Sequence, residues 1–418
     1  MMRYLPLIAA IVSQIGLYSC NSGSSAVNFP SQNQQTPMPS FTPLSTDDNY
    51  DVFLAALPKE TQNRELLAKS WSSYRRLFIQ SDGRVIDFQA KDRSTSEGQA
   101  YAMLRAVLID DATTFAKTLN WAENNLQRQQ NDSLWAWKWG RRKDGSWGTI
   151  DSNFASDADI DAITALIFAY RKWQNPQYLE LARIKLQDLW KLSTFTDSSE
   201  KRYLLPGPSD AFVPNSSTIY LNPSYLAPYA FRIFAQVDPE RDWLSLVDSS
   251  YQVLEKSLGL SGVGLPSDWV ALNLETEEFF ALPAQSNIQT VYSFDAYRIW
   301  WRIALDATWF NSSQAKSYLQ KSTQHLQKEW RQKSYLLASI DLKGKPLVDY
   351  EATSQYAMFH VAMRLLKPGI AQEILVKKIL PKYQKGTWGD RSGYYTQNLV
   401  WLSLFNPSDV PQKLIQKE

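Results

Sequence analysis

The chain has 418 residues, with 44 Lys and Arg against 42 Asp and Glu, and a formal net charge of +2, which argues against nucleic-acid binding through bulk charge. One cysteine excludes an internal disulfide framework and a Cys-rich zinc site, and His325 and His360, with no HExxH pattern, give poor support to a His-based metal site or a Ser-His-Asp hydrolase. No glycine-rich phosphate loop is present, so no cofactor is expected, while aromatics reach 13% of the chain, enough for a core, an interface or a sugar-stacking cleft.

Residues 1–20 combine Arg3, an apolar run from Leu5 to Leu17 and small or polar residues after it, which reads as a secretory leader. The run is short for a membrane-spanning helix, which needs about 20 residues. Cys20 falls at the expected cleavage point, and Leu17-Tyr18-Ser19-Cys20 resembles a bacterial lipobox, with Tyr18 where a small residue is usual. This predicts an exported protein anchored to a membrane through lipidated Cys20, or else released to the periplasm or medium. Residues 21–49 are rich in Ser, Asn, Gln, Thr and Pro and read as a disordered polar tether. Residues 50–418 remain as one folded catalytic domain.

From Glu60 onward apolar residues recur at three- and four-residue spacing. The pattern predicts helices over 60–77, 97–109, 112–128, 157–173, 176–194, 223–237, 240–258, 288–305, 311–330, 349–366, 370–383 and 392–405. Ser96, Ser156 and Asn222 are the expected caps at three of the starts. Strand signals are few, the clearest being the alternation of Trp135, Trp137 and Trp139. The fold class is all-α, and six helical hairpins can either stack as an open solenoid or close as an (α/α)6 barrel. No repeat of fixed period is visible, which weakens the solenoid. A closed ring would leave a cleft lined by the long irregular stretches 129–156, 195–222 and 259–287.

Three acidic positions stand where buried carboxylates are costly. Glu97, in Ser94-Thr-Ser-Glu97-Gly-Gln-Ala-Tyr101, is either a carboxylate complementing the helix dipole or a partly desolvated general acid. Asp157 and Asp161, in Asp157-Ala-Asp159-Ile-Asp161, share one helix face and form either a solvated acidic turn or part of a site. A calcium loop is excluded, because Ala162 and Phe168 replace the Gly and Glu it requires. Asp295 lies in an aromatic helix with Arg298 three residues on, either as a buried ion pair or as a base kept ionised by the guanidinium. Three such carboxylates, many aromatics and an export signal point together to polysaccharide hydrolysis, which needs two carboxyls and no cofactor.

At these residues the sequence resembles glycoside hydrolase family 8, the inverting endoglucanase family, over about residues 50–405. Ala155-Ser-Asp157-Ala-Asp159 through Trp173 follows the family signature, with Ala162-Ile163 in reversed order. Ser96-Glu97-Gly98-Gln99-Ala100-Tyr101-Ala102-Met103 is similar to the acid motif, with alanines where glycine is usual at 100 and 102. Tyr292-Ser-Phe-Asp295-Ala-Tyr-Arg298 carries the base motif, with Trp300 replacing a usual Pro. Asn222-Pro-Ser-Tyr225, Leu265-Pro-Ser-Asp-Trp269 and Tyr394-Tyr395-Thr-Gln397 also look like family segments. The resemblance implies the (α/α)6 barrel, Glu97 as general acid, Asp295 as general base and Asp157 as the residue that binds hydroxyls of the distorted sugar. It further implies a substrate-binding set of Trp137, Tyr225 and Arg298, with Tyr225 near the attacking water, Arg298 beside Asp295 and Trp137 as a sugar-stacking platform, with core or rim packing as the alternative for Trp137 and its neighbours. The expected activity is that of a monomeric endo-β-1,4-glucanase acting on β-glucan. The alternatives are a xylanase, a mixed-linkage glucanase or a chitosanase of the same fold, or an inactive carbohydrate-binding protein.

Overall fold

The computed structural model describes residues 59–128, 130–283 and 286–416. The leader, Cys20 and the tether lie outside the described residues. The compact unit is Asn63–Glu418.

Helix follows helix through most of this unit. In chain order these are α1 (Lys59–Phe78), α2 (Ser96–Leu108), α3 (Ala112–Asn125), α4 (Ser156–Trp173), α5 (Pro176–Ser193), the single turn α6 (Ser209–Phe212), α7 (Pro228–Val237) and α8 (Trp243–Ser257). They continue with α9 (Phe294–Trp309), α10 (Ser313–Ser322), α11 (Gln324–Lys333), α12 (Thr353–Leu366), α13 (Pro368–Ile374), α14 (Tyr394–Leu404) and α15 (Gln412–Ile415). Six of these pack side by side in a closed circuit: α2 on α4, α4 on α7, α7 on α9, α9 on α12, α12 on α14, and α14 back on α2. Each of the first five has its chain successor on its outer side: α3, α5, α8, α10 and α13. That is an (α/α)6 barrel.

Composition explains the two rings. A helix buried on every side must be apolar all round. Accordingly α4 buries Ala158, Ile160, Ala162, Ile163, Ala165, Leu166, Ile167, Phe168 and Ala169 without exposure, and its alanines let neighbouring helices approach. Ala100 and Ala102 are likewise fully buried in α2, so the small-residue departures are accommodated within the packing. Trp300, in place of the usual proline, is buried too and donates its indole N–H to Ser322.

The sixth outer position belongs to α1, far away in sequence from its partner α14. Trp401 Nε1 donates to Leu67 O at 3.0 Å, and Asn398 Nδ2 to the Tyr74 hydroxyl at 3.0 Å. Arg105 of α2 lies between the rings of Trp71, Tyr74 and Trp401, 4.3 to 5.0 Å from their centroids, and donates to Asn398 Oδ1. Burial pulls its guanidinium down to about 9, offset in part by Tyr74.

The predicted helices recur with local differences. The helix expected from 288 starts at Phe294, and the one expected over 311–330 breaks at Thr323 into α10 and α11. The segment from Pro223 forms a 3-10 turn through Tyr225 before α7 restarts at Pro228, because a proline fits the first turn of a helix but not its interior. Of the expected caps, Asn222 holds, accepting from Ser224 N. Thr95 rather than Ser96 caps α2, accepting from Gly98 N, and Ala155 precedes α4 with no side-chain cap. Short strands are also present, most of them in the stretches expected to be irregular. These are β1 (Ser94–Thr95), β2 (Lys138–Arg141), β3 (Trp147–Asp151), β4 (Thr194–Thr196), β5 (Arg202–Leu204), β6 (Thr218–Leu221), β7 (Val270–Asn273) and β8 (Phe279–Phe280), with β9 (Tyr383–Gln384) and β10 (Thr387–Trp388) nearer the end. All pair antiparallel, in the orders β1-β2-β3, β4-β5, β6-β7-β8 and β9-β10. Strands this short hold too few residues for a period of two to stand out.

Candidate active site

The site forms where the inner helices begin. Glu97 is in the first turn of α2, Asp157 in that of α4, Asp295 in that of α9 and Tyr394 opens α14. Free N–H groups and the positive end of each helix dipole favour carboxylates there.

Local hydrogen bonds fix each entry. Strand β1 runs straight into α2, pairing Ser94 with Trp139 and Thr95 with Lys138 of β2, and Ser96 N donates to Trp137 O at 3.1 Å. This sets Trp137, just before β2, beside the acidic first turn. Gly98 keeps this entry close-packed: a Cβ would stand 3.3–3.4 Å from Thr95 Oγ1, the Tyr394 ring and Val85. The start of α4 is pinned by Ser156, whose N–H donates to Pro206 O and whose hydroxyl donates to Leu205 O. The start of α9 is pinned from the segment before β7. Asp268 Oδ1 accepts from Ser293 N at 3.1 Å and Ala296 N at 2.8 Å.

Arg298, one turn into α9 and 1% exposed, gathers the three carboxylates. Its Nη1 donates to Glu97 Oε2 at 2.7 Å and to Asp157 Oδ2 at 2.5 Å. Its Nη2 donates to Asp295 Oδ1 at 2.8 Å and to Ser224 Oγ at 3.0 Å. Because guanidinium nitrogens form a fixed fork, the nearest oxygens of Glu97 and Asp295 are within about 8 Å of one another. The Tyr225 ring faces the guanidinium at 5.4 Å. Asp295 Oδ2 also accepts from Asn222 Nδ2 at 3.2 Å, and Tyr394 donates its hydroxyl to Glu97 Oε1 at 2.8 Å. Arg298, expected at the substrate, thus has its head group committed to protein carboxylates.

One cation shared among three carboxylates leaves an excess of negative charge in a poorly hydrated place. Burial pushes Glu97 up to about 7; Arg298 opposes this, Asp157 and Asp295 add to it, and the Tyr394 hydrogen bond opposes it. The side chains of Glu97 and Asp295 remain 19% and 34% exposed, whereas Asp157 is 3% exposed. The arrangement therefore offers one carboxyl able to hold a proton near neutrality and a second carboxylate, open to water, fixed by a cation and an amide. Burial, with Asp157 and Asp295 nearby, also holds the Tyr225 hydroxyl well above its usual range, so it stays a neutral donor.

The tryptophans divide. Trp135 is buried, donates to Glu123 Oε1 at 2.9 Å and lies under Lys185 Nζ, so it belongs to the core. Trp139 packs against Trp121 and Trp147 with Arg84 over its ring. Trp137 is half-buried, with the cationic ends of Lys138 and Arg93 at 5.2 and 6.0 Å from its ring. The expected common face breaks because the run is not one extended strand: Trp135 makes only an isolated bridge to Gln127, Trp137 precedes β2, and the register shifts between Lys138 and Trp139. Sequence reasoning passed over Tyr394, Asn222, Ser224 and Asp268 as site residues. All four lie in the segments that looked family-like, and that was the available signal.

The sequence model of Glycosyl hydrolases family 8 matches residues 52–372. An endoglucanase of Xanthomonas axonopodis pv. citri (strain 306) is 38% identical over 240 residues, covering 57% of this chain and 60% of that protein. The chain spans 57–60% of the length of the first curated relatives it matches. Among solved structures, the endo-1,4-D-glucanase from Vibrio fischeri ES114 superposes with a TM-score of 0.67 at 26% identity, covering 80% of this chain and 93% of that one. Endoglucanase Cel10 from Klebsiella pneumoniae, a family 8 glycosyl hydrolase, superposes with a TM-score of 0.64 at 27% identity, covering 80% and 98%. With a match over most of its length, on a closed ring of inner helices that opens onto three carboxylates, this chain belongs to glycosyl hydrolases family 8.

Proposed function

We propose that the protein is an exported endo-β-1,4-glucanase that cleaves with inversion, with Glu97 as general acid and Asp295 as general base. The observation that carries this reading is the split among three carboxyls around one guanidinium: Glu97 is pushed up to about 7 while Asp295 is held by Arg298 and Asn222 at a water-accessible position. A glycosidic oxygen leaves poorly unless protonated, and water attacks poorly unless deprotonated. Protonated Glu97 gives its proton to the leaving oxygen. The Tyr394 hydroxyl can turn toward Thr95 Oγ1, 3.1 Å away, and so accept from Glu97 rather than donate to it. Asp295 takes a proton from the water that attacks the opposite face of the sugar, using lone pairs left free by Arg298 and Asn222. The limit of about 8 Å on the two carboxyls is compatible with a separation of about 6.5–9.5 Å, the room an inverting water needs. Asp157 binds hydroxyls of the sugar at the cleavage point, and Trp137 stacks on a neighbouring sugar. Export and lipidation at Cys20 belong to the same proposal and rest on the leader-like residues 1–20.

The test is reducing-sugar release from carboxymethyl cellulose, with proton NMR of the first products. The α-anomer should appear first from the β-linked polymer, and early β-anomer would refute Asp295 as the base of an inverting enzyme. Glu97→Gln should lose about 10²–10⁴-fold on polymer and much less on an aryl glycoside with a good leaving group. Equal loss on both would show a binding or folding role for Glu97.

A further inference from the structure

Asp268 stands outside the group that Arg298 gathers, yet its contacts bracket Asp295. Its Oδ1 accepts from the N–H of Ser293, two residues before Asp295, and from that of Ala296, one residue after it. Its own N–H donates to Val291 O at 2.7 Å. Three hydrogen bonds therefore sew residue 268 to segment 291–296. Helix α9 needs them, because Ser293 precedes it with no side-chain cap and an extended backbone, φ −156°. The first N–H groups of a helix have no partner within it. Here the partner arrives from a loop 25 and 28 residues earlier. Asp295 is the second residue of the turn so held, and its aim toward Arg298 and Asn222 depends on where that turn lies.

We propose that Asp268 is a positioning residue for Asp295: one of its oxygens clamps the first turn of the helix that carries the base, and the reaction uses this acceptor rather than the charge of the carboxylate. The proposal rests on Asp295 being the base. A second ionised carboxylate beside Asp295 would compete for Arg298 and make the base harder to keep charged. Burial and the nearby Asp295 carboxylate both favour the protonated form of Asp268, against its two backbone donors and Arg298. A neutral carboxyl still accepts through its carbonyl oxygen, so the clamp persists without the charge.

Two near-isosteric variants separate acceptor from charge. Asp268→Asn keeps the oxygen and removes the charge, while Asp268→Glu keeps the charge and moves the oxygens by about 1.5 Å, the length of one carbon–carbon bond. With soluble β-glucan as substrate, Asp268→Asn should lose less than about tenfold in kcat, and Asp268→Glu about 10²-fold, each with KM changed less than about threefold, the scale expected when a catalytic group is misplaced by an ångström. Hydrogen exchange supplies a readout independent of turnover. The amides of Ser293 and Ala296 should stay protected in Asp268→Asn and exchange faster in Asp268→Glu. The reverse ranking in kcat, or two variants equally active, overturns the clamp, as does unchanged protection of both amides in Asp268→Glu. Asp295→Asn, assayed alongside, separates the two ideas: if it retains turnover, the assignment of the base has failed, and if it is inactive while the Asp268 ranking fails, only the clamp has failed.

Discussion

Helices α4 and α9 face each other through two tiers of charge one turn apart, and the tiers have opposite characters. In the deeper tier Arg302 and Asp161 form a two-pronged pair, Nη1 to Oδ1 at 2.7 Å and Nη2 to Oδ2 at 2.9 Å, with side chains 0% and 1% exposed. In the upper tier Arg298 meets Asp157 through Nη1 alone, and Glu97 and Asp295 share the same guanidinium. The deeper tier matches one cation to one anion and closes off water. The upper tier has two anions too many and is partly open. The lesson is that charge ratio and exposure, rather than residue type, separate a brace from a reactive centre. Burial raises the carboxyl in both tiers, but Asp161 has the two-pronged Arg302 to oppose it, whereas burial of Glu97 is opposed by a guanidinium divided three ways, with Asp157 and Asp295 adding to the rise, and Glu97 reaches about 7.

The sharpest way to break this contrast is to remove the shared cation. Arg298→Gln should lower kcat by about 10²–10⁴-fold, as both the acid and the base lose their alignment. Arg298 lowers the Glu97 pKa, so its loss should raise that value above about 7 and move the alkaline limb of the pH–rate profile to higher pH. A limb moving to lower pH would contradict the electrostatic account. In the deeper tier, Asp161→Ala leaves Arg302 buried without its partner and should cost about 3–5 kcal/mol of stability, read by urea unfolding. The folded fraction should keep kcat within about tenfold. A stability loss under about 1 kcal/mol with a large loss of kcat would erase the distinction between the tiers. The smallest effect is expected from Tyr394→Phe, which removes the hydroxyl that donates to Glu97 Oε1. A hydrogen bond to a charged group contributes about 1.5–3 kcal/mol, so the alkaline limb should rise by about one to two pH units with kcat/KM falling less than about tenfold at the optimum. An unmoved limb would show that Tyr394 does not bias the protonation of Glu97.

Much of the upper tier was legible from local patterns. Glu97 and Asp157 each stood at the start of an apolar helix, Asp295 lay inside an aromatic one, and Arg298 lay three residues beyond Asp295 on its face. The role of Arg298 was read too narrowly. Its bonds to Glu97 and Asp157 span 201 and 141 residues, and no periodicity within a helix reports them. Trp137 illustrates the opposite failure. A strict alternation placed it on one face with Trp135 and Trp139, but the regular strand begins only at Lys138, so Trp135 goes to the core while Trp137 stays half-buried.

The sequence by itself determined most of the helices, because apolar spacing and prolines act over a few residues. It also placed Glu97 and Asp157 at helix starts. Only the tertiary structure decided that the ring closes, with α1 seated on α14 through Trp401 and Leu67, 334 residues apart. Only it decided that Asp268 holds the turn of Asp295, that one guanidinium is divided among three carboxylates, and hence that Glu97 is the one driven toward neutrality. The reason is physical: local structure depends on neighbours along the chain, whereas desolvation and charge balance depend on neighbours in space.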